Sequence, residues 1–286
     1  MPRIHTVSPD KENFLQIINA SLEKSVKSLW YSGELPPERR PAVAIVGTRK
    51  PTTYGKETAY RLSYELAQRG IVVVSGLALG IDGIAHQAAL DAGGTTIAIL
   101  PTSLDAIYPY SHRSLAERIV QAGGALITEY QAGERAYKSN FIARNRLVSA
   151  LSDGLLIVEA AQRSGTLATA GFALEQGKPV MAVPGNITSP MSVGCNVLIK
   201  KGARCITSTE DILEELGMAP DTPMQLPLAY SDEEQSILTL LAEGIRDGEV
   251  LQQQSKLAPS QFSQTLTMLE LEGKVRALGA NQWTIR

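Results

Sequence analysis

Short apolar runs alternate with longer amphipathic stretches along residues 41–216. The runs are continuous and rich in Val and Ile, which is typical of strands buried on both faces of a parallel sheet. They are AVAIVG (42–47), IVVVSG (71–76), TTIAIL (95–100), ALITEY (125–130), GLLIVEA (154–160) and KPVMAV (178–183). Between most of them lie helical patterns that have an apolar residue every three or four positions and a closing glycine, as in residues 54–70. The alternation predicts an α/β fold with a doubly wound, mostly parallel sheet.

The pattern changes after residue 216. Residues 217–230 contain three prolines and have no regular period, so they are predicted to form a linker. Residues 231–286 carry three short helical patterns, and alternating residues then flank Gly279-Ala280-Asn281, which predicts a hairpin. Three helices followed by a hairpin indicate a small C-terminal winged-helix domain.

The first forty residues are less regular. Residues 14–30, FLQIINASLEKSVKSLW, are amphipathic, and Leu35-Pro36-Pro37 ends the pattern. We expect this stretch to pack on the sheet as part of a short N-terminal extension. The predicted division of the chain is therefore an extension (1–40), an α/β domain (41–216), a linker (217–230) and a winged helix (231–286).

Composition narrows the class of protein. The chain is 44% apolar and 20% charged, as globular proteins are, and its net charge of -2 means that any cationic surface must be local. The cysteines, Cys195 and Cys205, match no metal or redox spacing, so neither a metal nor a cofactor is expected. No apolar run approaches the ~20 residues of a bilayer span, and the N-terminus lacks a signal-peptide pattern. We therefore expect a cytoplasmic protein without membrane contact.

The first predicted strand ends in Gly47-Thr48-Arg49, which suggests a phosphate-binding loop. It is not a Walker A motif, because Lys50 and Glu57 stand where a glycine and a Ser or Thr are required around Gly55-Lys56. It is not a dinucleotide fingerprint either, because Arg49 replaces the second glycine. An arginine here suits a more open phosphate that a guanidinium can grip, although a plain surface arginine is the alternative.

Glycines and polar residues follow other predicted strands. Gly76 and Gly80 permit close backbone approach after the second strand, although glycines also simply make tight turns. Arg163 and Ser164 come just before a helical pattern, whose N-terminus suits an anion. Because the carboxyl ends of parallel strands meet at one edge, we expect these residues to converge there.

Cations surround one aromatic residue in 137–154. Lys138, Arg144 and Arg146 lie around Asn140, Phe141 and Asn145. This mixture fits single-stranded nucleic acid, with phosphates on the cations and a base stacked on Phe141, although Phe141 could equally be a core residue. Arg144 and Arg146 would face different ways on a helix, so we expect at most one to meet a ligand and the other to form an ion pair.

Several motifs in order closely resemble the DNA-processing protein DprA (Smf) family over about residues 41–216. They are GTRKPTTYG, SGLALGIDGIAHQAAL, GGTTIAIL, LDAIYP, FIARNRLVSALSDGLLIVEA, SGTLATAGFALEQGKPVMAVPGN and GCNVLIKKGA. The resemblance implies a Rossmann-like domain that binds and protects single-stranded DNA, helps load the RecA recombinase during natural transformation, and forms homodimers. It also implies a DNA pocket that uses Arg49 of the Gly-Thr-Arg motif. The segment 138–141 would join that pocket, with the glycine-rich turn 76–80 nearby.

From these arguments the candidate DNA-binding residues share positions at strand ends or on the segment before the fifth strand. They are Gly47, Thr48, Arg49, Gly76, Gly80, Lys138, Ser139, Asn140, Phe141, Arg144, Arg163 and Ser164.

The chain departs from that family in two places. Many members carry a longer N-terminal helical domain, whereas about forty residues precede the first predicted strand here. The family often has Gly-x-Gly-Leu-Asp after the third strand, whereas residues 101–105 read Pro-Thr-Ser-Leu-Asp, which reduces backbone freedom at that edge.

Charge argues against duplex recognition by the C-terminal domain. Residues 231–286 contain five Lys and Arg against eight Asp and Glu, a net charge of -3. The predicted recognition helix, 259–271, has no lysine or arginine, whereas duplex binding takes several phosphate contacts. We expect this domain to contact protein or to form a self-contained cap.

An enzymatic alternative stays open. Glu159 and Asp82 lie near strand ends, and the nucleotide phosphoribohydrolases that resemble lysine decarboxylases place a catalytic glutamate near a glycine-rich turn. Their Pro-Gly-Gly-x-Gly-Thr signature is missing, and residues 163–166 only echo it. His5, His86 and His112 show no ligand-like spacing. We expect a binding protein rather than an enzyme, with nucleotide hydrolysis as the alternative.

Overall fold

The computed structural model describes residues 4–218, 231–279 and 281–285. The chain divides into two compact units, Met1–Ala219 and Pro220–Arg286. Most of the predicted linker, residues 219–230, lies outside the described residues, so the domain boundaries stay predictions.

Within residues 4–218 the strands form one nine-stranded sheet. In chain order they are β1 Ile4–Val7, β2 Leu29–Gly33, β3 Ala42–Val46, β4 Val72–Ser75, β5 Thr96–Leu100, β6 Ala125–Thr128, β7 Gly154–Ile157, β8 Val180–Ala182 and β9 Arg204–Cys205. Their spatial order is β1-β2-β6-β5-β4-β3-β7-β8-β9, parallel from β6 to β9 and antiparallel at β1 and β2. The six predicted strands are confirmed as β3 to β8, and so is the doubly wound α/β class.

Helices cover both faces of this sheet. They are α1 Gln16–Ser21, α2 Thr53–Gln68, α3 Ile81–Asp91, α4 Arg113–Gln121, α5 Lys138–Ala150, α6 Gly165–Glu175, α7 Val193–Lys200 and α8 Thr209–Glu215. Because side chains alternate along a strand, β3 contributes to two cores. Ala42 and Ala44 pack among residues of α1, α5 and α6, whereas Val43 and Ile45 pack among residues of α2, α3 and α8. Burial on both faces explains why the strands read as continuous apolar runs.

The direction of winding reverses at β3. Strands β4, β5 and β6 follow on one side of it, and β7, β8 and β9 follow on the other. In open α/β sheets, ligands bind beyond the carboxyl ends of the strands at such a reversal. The fold therefore predicts a ligand site at the loops after β3 and β7.

The amphipathic stretch 14–30 contains a short helix and the start of a strand. Only Gln16–Ser21 is helical, and its neighbours Phe14 and Leu15 are fully buried in the core, so this part does pack on the sheet as expected. Leu29 and Trp30 instead enter β2, which pairs antiparallel with β6. The backbone groups along the edge of β6 would otherwise lack hydrogen-bond partners, and β2 supplies them.

The second unit has the three helices and hairpin expected of a winged helix. They are α9 Asp232–Ala242, α10 Gly248–Ser255, α11 Pro259–Leu271, β10 Val275–Gly279 and β11 Gln282–Ile285. Ala280, in the predicted turn, lies outside the described residues. A core that includes Ile237, Leu241, Leu251 and Phe262 joins the helices.

None of the helices in the described ranges combines the length and apolar character needed to cross a bilayer.

His86 is a fully buried residue of α3 that packs against the sheet. Its Nδ1 lies 2.7 Å from Thr96 Oγ1, and that hydroxyl donates to Val73 O at 2.8 Å. Because the hydroxyl proton is already used, Nδ1 must carry the proton and donate it to Thr96. Burial, with smaller contributions from the nearby His112 and Arg144, lowers the pKa of His86 to about 3. The ring is therefore neutral near pH 7.

We expect acid to destabilise the fold through His86. Its pKa is lower in the folded than in the unfolded state, so the unfolded chain binds more protons and stability falls as pH drops from ~6.5 toward ~3. Between pH 7 and pH 5, wild type should lose about 2 kcal/mol more unfolding free energy than His86→Gln, which cannot charge. Urea titrations at both pH values measure this. Equal losses in the two proteins would contradict the prediction.

Candidate nucleic-acid interface

The loops that follow β3, β4 and β7 meet at the carboxyl edge of the sheet, beside the reversal. Together with α5 and α6 they enclose an open cavity of about 530 Å³, called here the rim pocket. Among the candidate residues, those lining the rim pocket are Gly47, Thr48, Arg49, Phe141, Arg144, Arg163 and Ser164. The strand ends therefore converge as the sequence predicts.

The remaining candidates lie around this pocket. Gly76 lines a small adjoining cavity, and Gly80 lines a groove on its other side. Lys138 and Ser139 are exposed on the first turn of α5, whereas Asn140 is buried there. These three residues do not line the rim pocket of the described structure. Their contact with DNA, like that of the other candidates, stays a prediction.

The glycines of the rim let its loops pack against one another. A Cβ at Gly80, where φ is +80°, would collide with Thr48 O, and the adjacent Ile81 N donates to that same oxygen at 3.2 Å. A Cβ at Gly47 would lie 2.6 Å from Ile81 Cγ1, and one at Gly76 would lie 2.5 Å from Arg144 Nη2. The sequence predicts that Gly76 and Gly80 permit close backbone approach to a ligand or simply make tight turns. The structure shows that they also permit approach of neighbouring protein atoms.

Glu159 fixes the loop that carries Arg49. Its carboxylate accepts hydrogen bonds from Thr52 N at 2.9 Å and Thr52 Oγ1 at 2.6 Å, and its backbone oxygen accepts one from Thr48 N at 2.8 Å. The residue is only 1% exposed, and the absence of a side chain at Gly55 makes room for the carboxylate. Thr52 is the N-cap of α2, so the carboxylate also lies at the positive end of that helix.

Arg144 is a buried cation at the floor of the rim pocket. It is 4% exposed, and its Nη1 donates to the carbonyl oxygens of Gly76 and Ile99, at the ends of β4 and β5. Burial lowers the pKa of Arg144 to about 10, while Asp82 opposes this shift, so the guanidinium stays charged near neutral pH. Burial also raises the pKa of the Asp82 carboxyl, which accepts from Gly76 N at 3.1 Å.

Arg146 has the structural role expected for one of the two arginines. Its Nη2 lies 2.5 and 2.6 Å from the two carboxylate oxygens of Glu129. Of the two arginines, only Arg144 lines the rim pocket, where its buried guanidinium adds positive charge at the floor.

Exposed cations and an aromatic ring form the mouth of the pocket. Arg49 is exposed, and its guanidinium carbon lies 5.9 Å from the centre of the Phe141 ring. Phe141 is half-buried and makes an edge contact with Tyr108 at 5.2 Å, so it is not a core residue. Within the described parts of the chain, no carboxylate lies within 4.0 Å of the charged groups of Arg49, Lys50 or Arg163. These charges are free to meet phosphates.

Helix α6 directs its N-terminus at the same pocket. Ser164 is its N-cap and accepts from Thr166 N at 3.2 Å, and Gly165 and Thr166 line the cavity. The N-termini of α2 and α3 are instead occupied by the Glu159 carboxylate and the Thr48 oxygen. The partial positive charge of α6 therefore faces the open space.

Sequence reasoning missed Tyr108 and Met191. Tyr108 is 51% exposed and supports Phe141, and Met191, from the loop after β8, lines the pocket wall. The run LDAIYP contains Tyr108, yet nothing in its spacing indicates a contact with Phe141. Nowhere in the described residues do three or more His, Cys, Asp or Glu side chains cluster so as to hold a metal ion.

Two sequence-family models match the chain. DNA recombination-mediator protein A matches residues 5–217, and the DprA winged helix domain matches residues 218–281.

Curated relatives and solved structures agree with these matches. Protein Smf of Escherichia coli (strain K12) is 40% identical over 240 residues, 82% of this chain and 63% of its own length. DNA processing protein DprA of Bacillus subtilis (strain 168) is 43% identical over 174 residues, 61% of this chain and 58% of its own. The chain thus spans less than two thirds of either relative.

Two solved structures of DNA processing protein A are similar to this fold. The protein from Streptococcus pneumoniae superposes with a TM-score of 0.69 at 37% identity and covers 74% of each chain. The protein from Helicobacter pylori gives 0.66 at 35% identity and covers 75% of this chain and 96% of that one. The latter structure concerns the single-stranded DNA binding mode of the Helicobacter protein.

We expect Gly80→Ala to destabilise the fold more than Gly93→Ala. Both glycines have positive φ, but a Cβ at Gly93 meets no atom within 4 Å, whereas one at Gly80 would collide with the Arg49 loop. The backbone penalty alone is about 1–3 kcal/mol, and the collision adds to it at Gly80. Urea unfolding of the two variants measures the difference, and equal losses would show that the loop contact is not constraining.

Proposed function

The chain belongs to the DNA recombination-mediator protein A (DprA, Smf) family, and from this membership and the rim geometry we propose that it binds single-stranded DNA. The observation that carries the proposal is the contact of the exposed Arg49 with the Phe141 ring at the mouth of the rim pocket. In the described residues no carboxylate forms an ion pair with Arg49, Lys50 or Arg163. Phosphates would meet the cations, and a base would stack on the ring.

The same geometry favours single strands without sequence preference. Stacking on Phe141 requires an unpaired base, and every base has a face that can stack. The α6 N-terminus and Arg163 offer further contacts to the sugar-phosphate backbone, which carry no sequence information.

The role of this binding in the cell is proposed from family membership alone. We propose that the protein acts in the cytoplasm as a homodimer, protects incoming single-stranded DNA and helps load the RecA recombinase during natural transformation. The acidic winged helix is proposed to contact protein rather than duplex DNA. Its helix α11 has no lysine or arginine and exposes Met268 and Leu271, which supports that assignment.

A binding role is also favoured over nucleotide hydrolysis. Of the two carboxylates near strand ends that this alternative would use, Glu159 is buried and bonded to Thr52, and Asp82 is buried and accepts a hydrogen bond from Gly76 N. A general acid or base must reach its substrate, and these side chains hold loops instead.

Nucleoside monophosphates incubated with the protein should therefore release no free base. Chromatography of the mixture measures the products, and Glu159→Gln serves as the matched variant. Base release that disappears in Glu159→Gln would establish the enzymatic alternative.

Removing the exposed cation should weaken binding. We expect Arg49→Ala to bind a labelled oligothymidylate at least tenfold less tightly than wild type at ~0.1 M salt, because a charge-assisted contact is lost. The slope of log K against log salt should shrink by about 0.7. Arg204→Ala is the control, because Arg204 is a partly exposed arginine of β9, the last strand of the sheet, and does not line the rim pocket. An unchanged Arg49→Ala, salt-independent binding or a preference for duplex would each contradict the pocket assignment.

Removing the aromatic face should also weaken binding. We expect Phe141→Leu to lose roughly 1–3 kcal/mol of binding free energy and Phe141→Trp to retain it, because stacking needs the ring. Phe172→Leu, at a half-buried phenylalanine of α6 outside the rim pocket, is the matched control. Fluorescence anisotropy measures all three, and equal affinities for Phe141→Leu and wild type would rule out stacking on this ring.

A further inference from the structure

A second cavity adjoins the rim pocket on the far side of Arg49. It is an open groove of about 670 Å³, here called the α2–α3 groove, which runs between α2, α3 and the start of α4. The residues that define it are Arg49, Lys50, Lys56, Tyr60, Leu79 and His112. Arg49 and Lys50 line both cavities, so the two are contiguous.

The α2–α3 groove is cationic. Lys50 and Lys56 are exposed, and no carboxylate of the described residues lies within 4.0 Å of either ammonium group. No acidic residue lines the described groove. Asp91, beyond the lining, is paired with Arg118, whose Nη2 lies 3.7 Å from Asp91 Oδ1, and it also accepts a hydrogen bond from Tyr60 Oη at 3.1 Å. The groove therefore offers uncompensated positive charge beyond a single phosphate pocket.

Tyr60 gives the groove a fixed aromatic face. It is 40% exposed, and its ring is held by stacking on Tyr64, with centroids 6.0 Å apart at 17°, and by the bond from its hydroxyl to Asp91. Lys56 lies one turn earlier on the same face of α2. The rise between them, about 6 Å, is close to two stacked-base steps of about 3.4 Å. A cation and a ring at this spacing suit nucleotides two steps apart on one strand.

An apolar side chain lies between the α2–α3 groove and the small cavity that adjoins the rim pocket. Leu79, in the turn after β4, is 45% exposed and lines both the α2–α3 groove and the small cavity that contains Phe141 and Tyr108. Leu79 therefore lies on the surface between the Phe141 and Tyr60 rings, and Arg49 lines both of these cavities as well.

We propose that the α2–α3 groove holds a second stretch of the DNA strand, with a base stacked on Tyr60 and phosphates on Lys50 and Lys56. This rests on the proposed function of the rim pocket and adds the path by which the strand leaves it. The strand crosses at Arg49, so Arg49 serves both stretches, whereas Tyr60 and Lys56 serve only the second.

Binding of oligonucleotides of different lengths distinguishes the two stretches, because a short strand fills only the rim pocket and a long strand also reaches the α2–α3 groove. Dissociation constants are measured for oligothymidylates from about 4 to about 16 nucleotides, the range of site sizes known for strand-binding folds. Wild type, Tyr60→Leu, Tyr60→Phe and Lys56→Gln are compared. Tyr54→Leu is the matched control, because Tyr54 is another exposed tyrosine of α2, 47% exposed against 40% for Tyr60, and does not line the groove.

Tyr60→Leu and Lys56→Gln should bind the shortest oligonucleotides as wild type does and should bind the longest about tenfold less tightly. Tyr60→Phe, which keeps the ring, and Tyr54→Leu should follow wild type at every length. Wild-type affinity for long strands in Tyr60→Leu, or equal losses at all lengths, would overturn the proposal. A wild-type protein that binds no oligonucleotide would instead refute the proposed function.

Photo-crosslinking checks the path without any substitution. A long oligothymidylate with iodouracil at successive positions is irradiated on the wild-type protein, and the crosslinked peptide is identified by mass spectrometry. Crosslinks at Tyr60 with the long strand but not with the shortest support the second stretch, and their absence with the long strand refutes it.

Discussion

The buried guanidinium of Arg144 is the interaction on which the rim of this sheet depends. It bonds the carbonyl oxygens at the ends of two central strands, β4 and β5, with Asp82 as a nearby opposite charge. A buried cation is costly unless its donors are satisfied, and strand-end carbonyls need partners because the ladder stops there. The Arg144 donors and the strand-end carbonyl oxygens therefore satisfy one another. The turn after β4 is consequently fixed relative to its neighbours, and Gly76 must lack a side chain for the guanidinium to fit.

Some positive groups at this rim are satisfied by other parts of the protein, whereas others face solvent. The N-termini of α2 and α3 are satisfied by Glu159 and by the Thr48 oxygen, which tie the loops to the scaffold. The α6 N-terminus and the exposed guanidinium of Arg49 face open space. A pocket that is held by internal contacts and charged on its outer surface loses little conformational freedom when a ligand binds, so fewer contacts suffice for a given affinity.

The sequence predicted what depends on local pattern. Continuous Val and Ile runs mark strands buried on both faces, so β3 to β8 could be located, and the topology then placed Gly47, Arg49 and Arg163 at one edge. Features that depend on contacts between distant parts of the chain could not be predicted from the sequence. The amphipathic residues 14–30 give no sign that Trp30 will extend the sheet, because the unpaired edge of β6 decides that. The spacing of Arg144 and Arg146 separates their directions, but only the positions of Glu129 and Ile99 decide which one is buried.

The last strand of the sheet limits how copies of the protein can associate. β9 has two residues, and one of them is Arg204, whose charged group is bonded to Glu214. Exposed edges with long, uncharged strands recruit further strands, whereas a short edge that carries a charge does not. Continuation of the sheet from one copy into another is therefore disfavoured at β9. Association on this side is left to helical faces, which meet through side chains rather than through the backbone and can be made selective residue by residue.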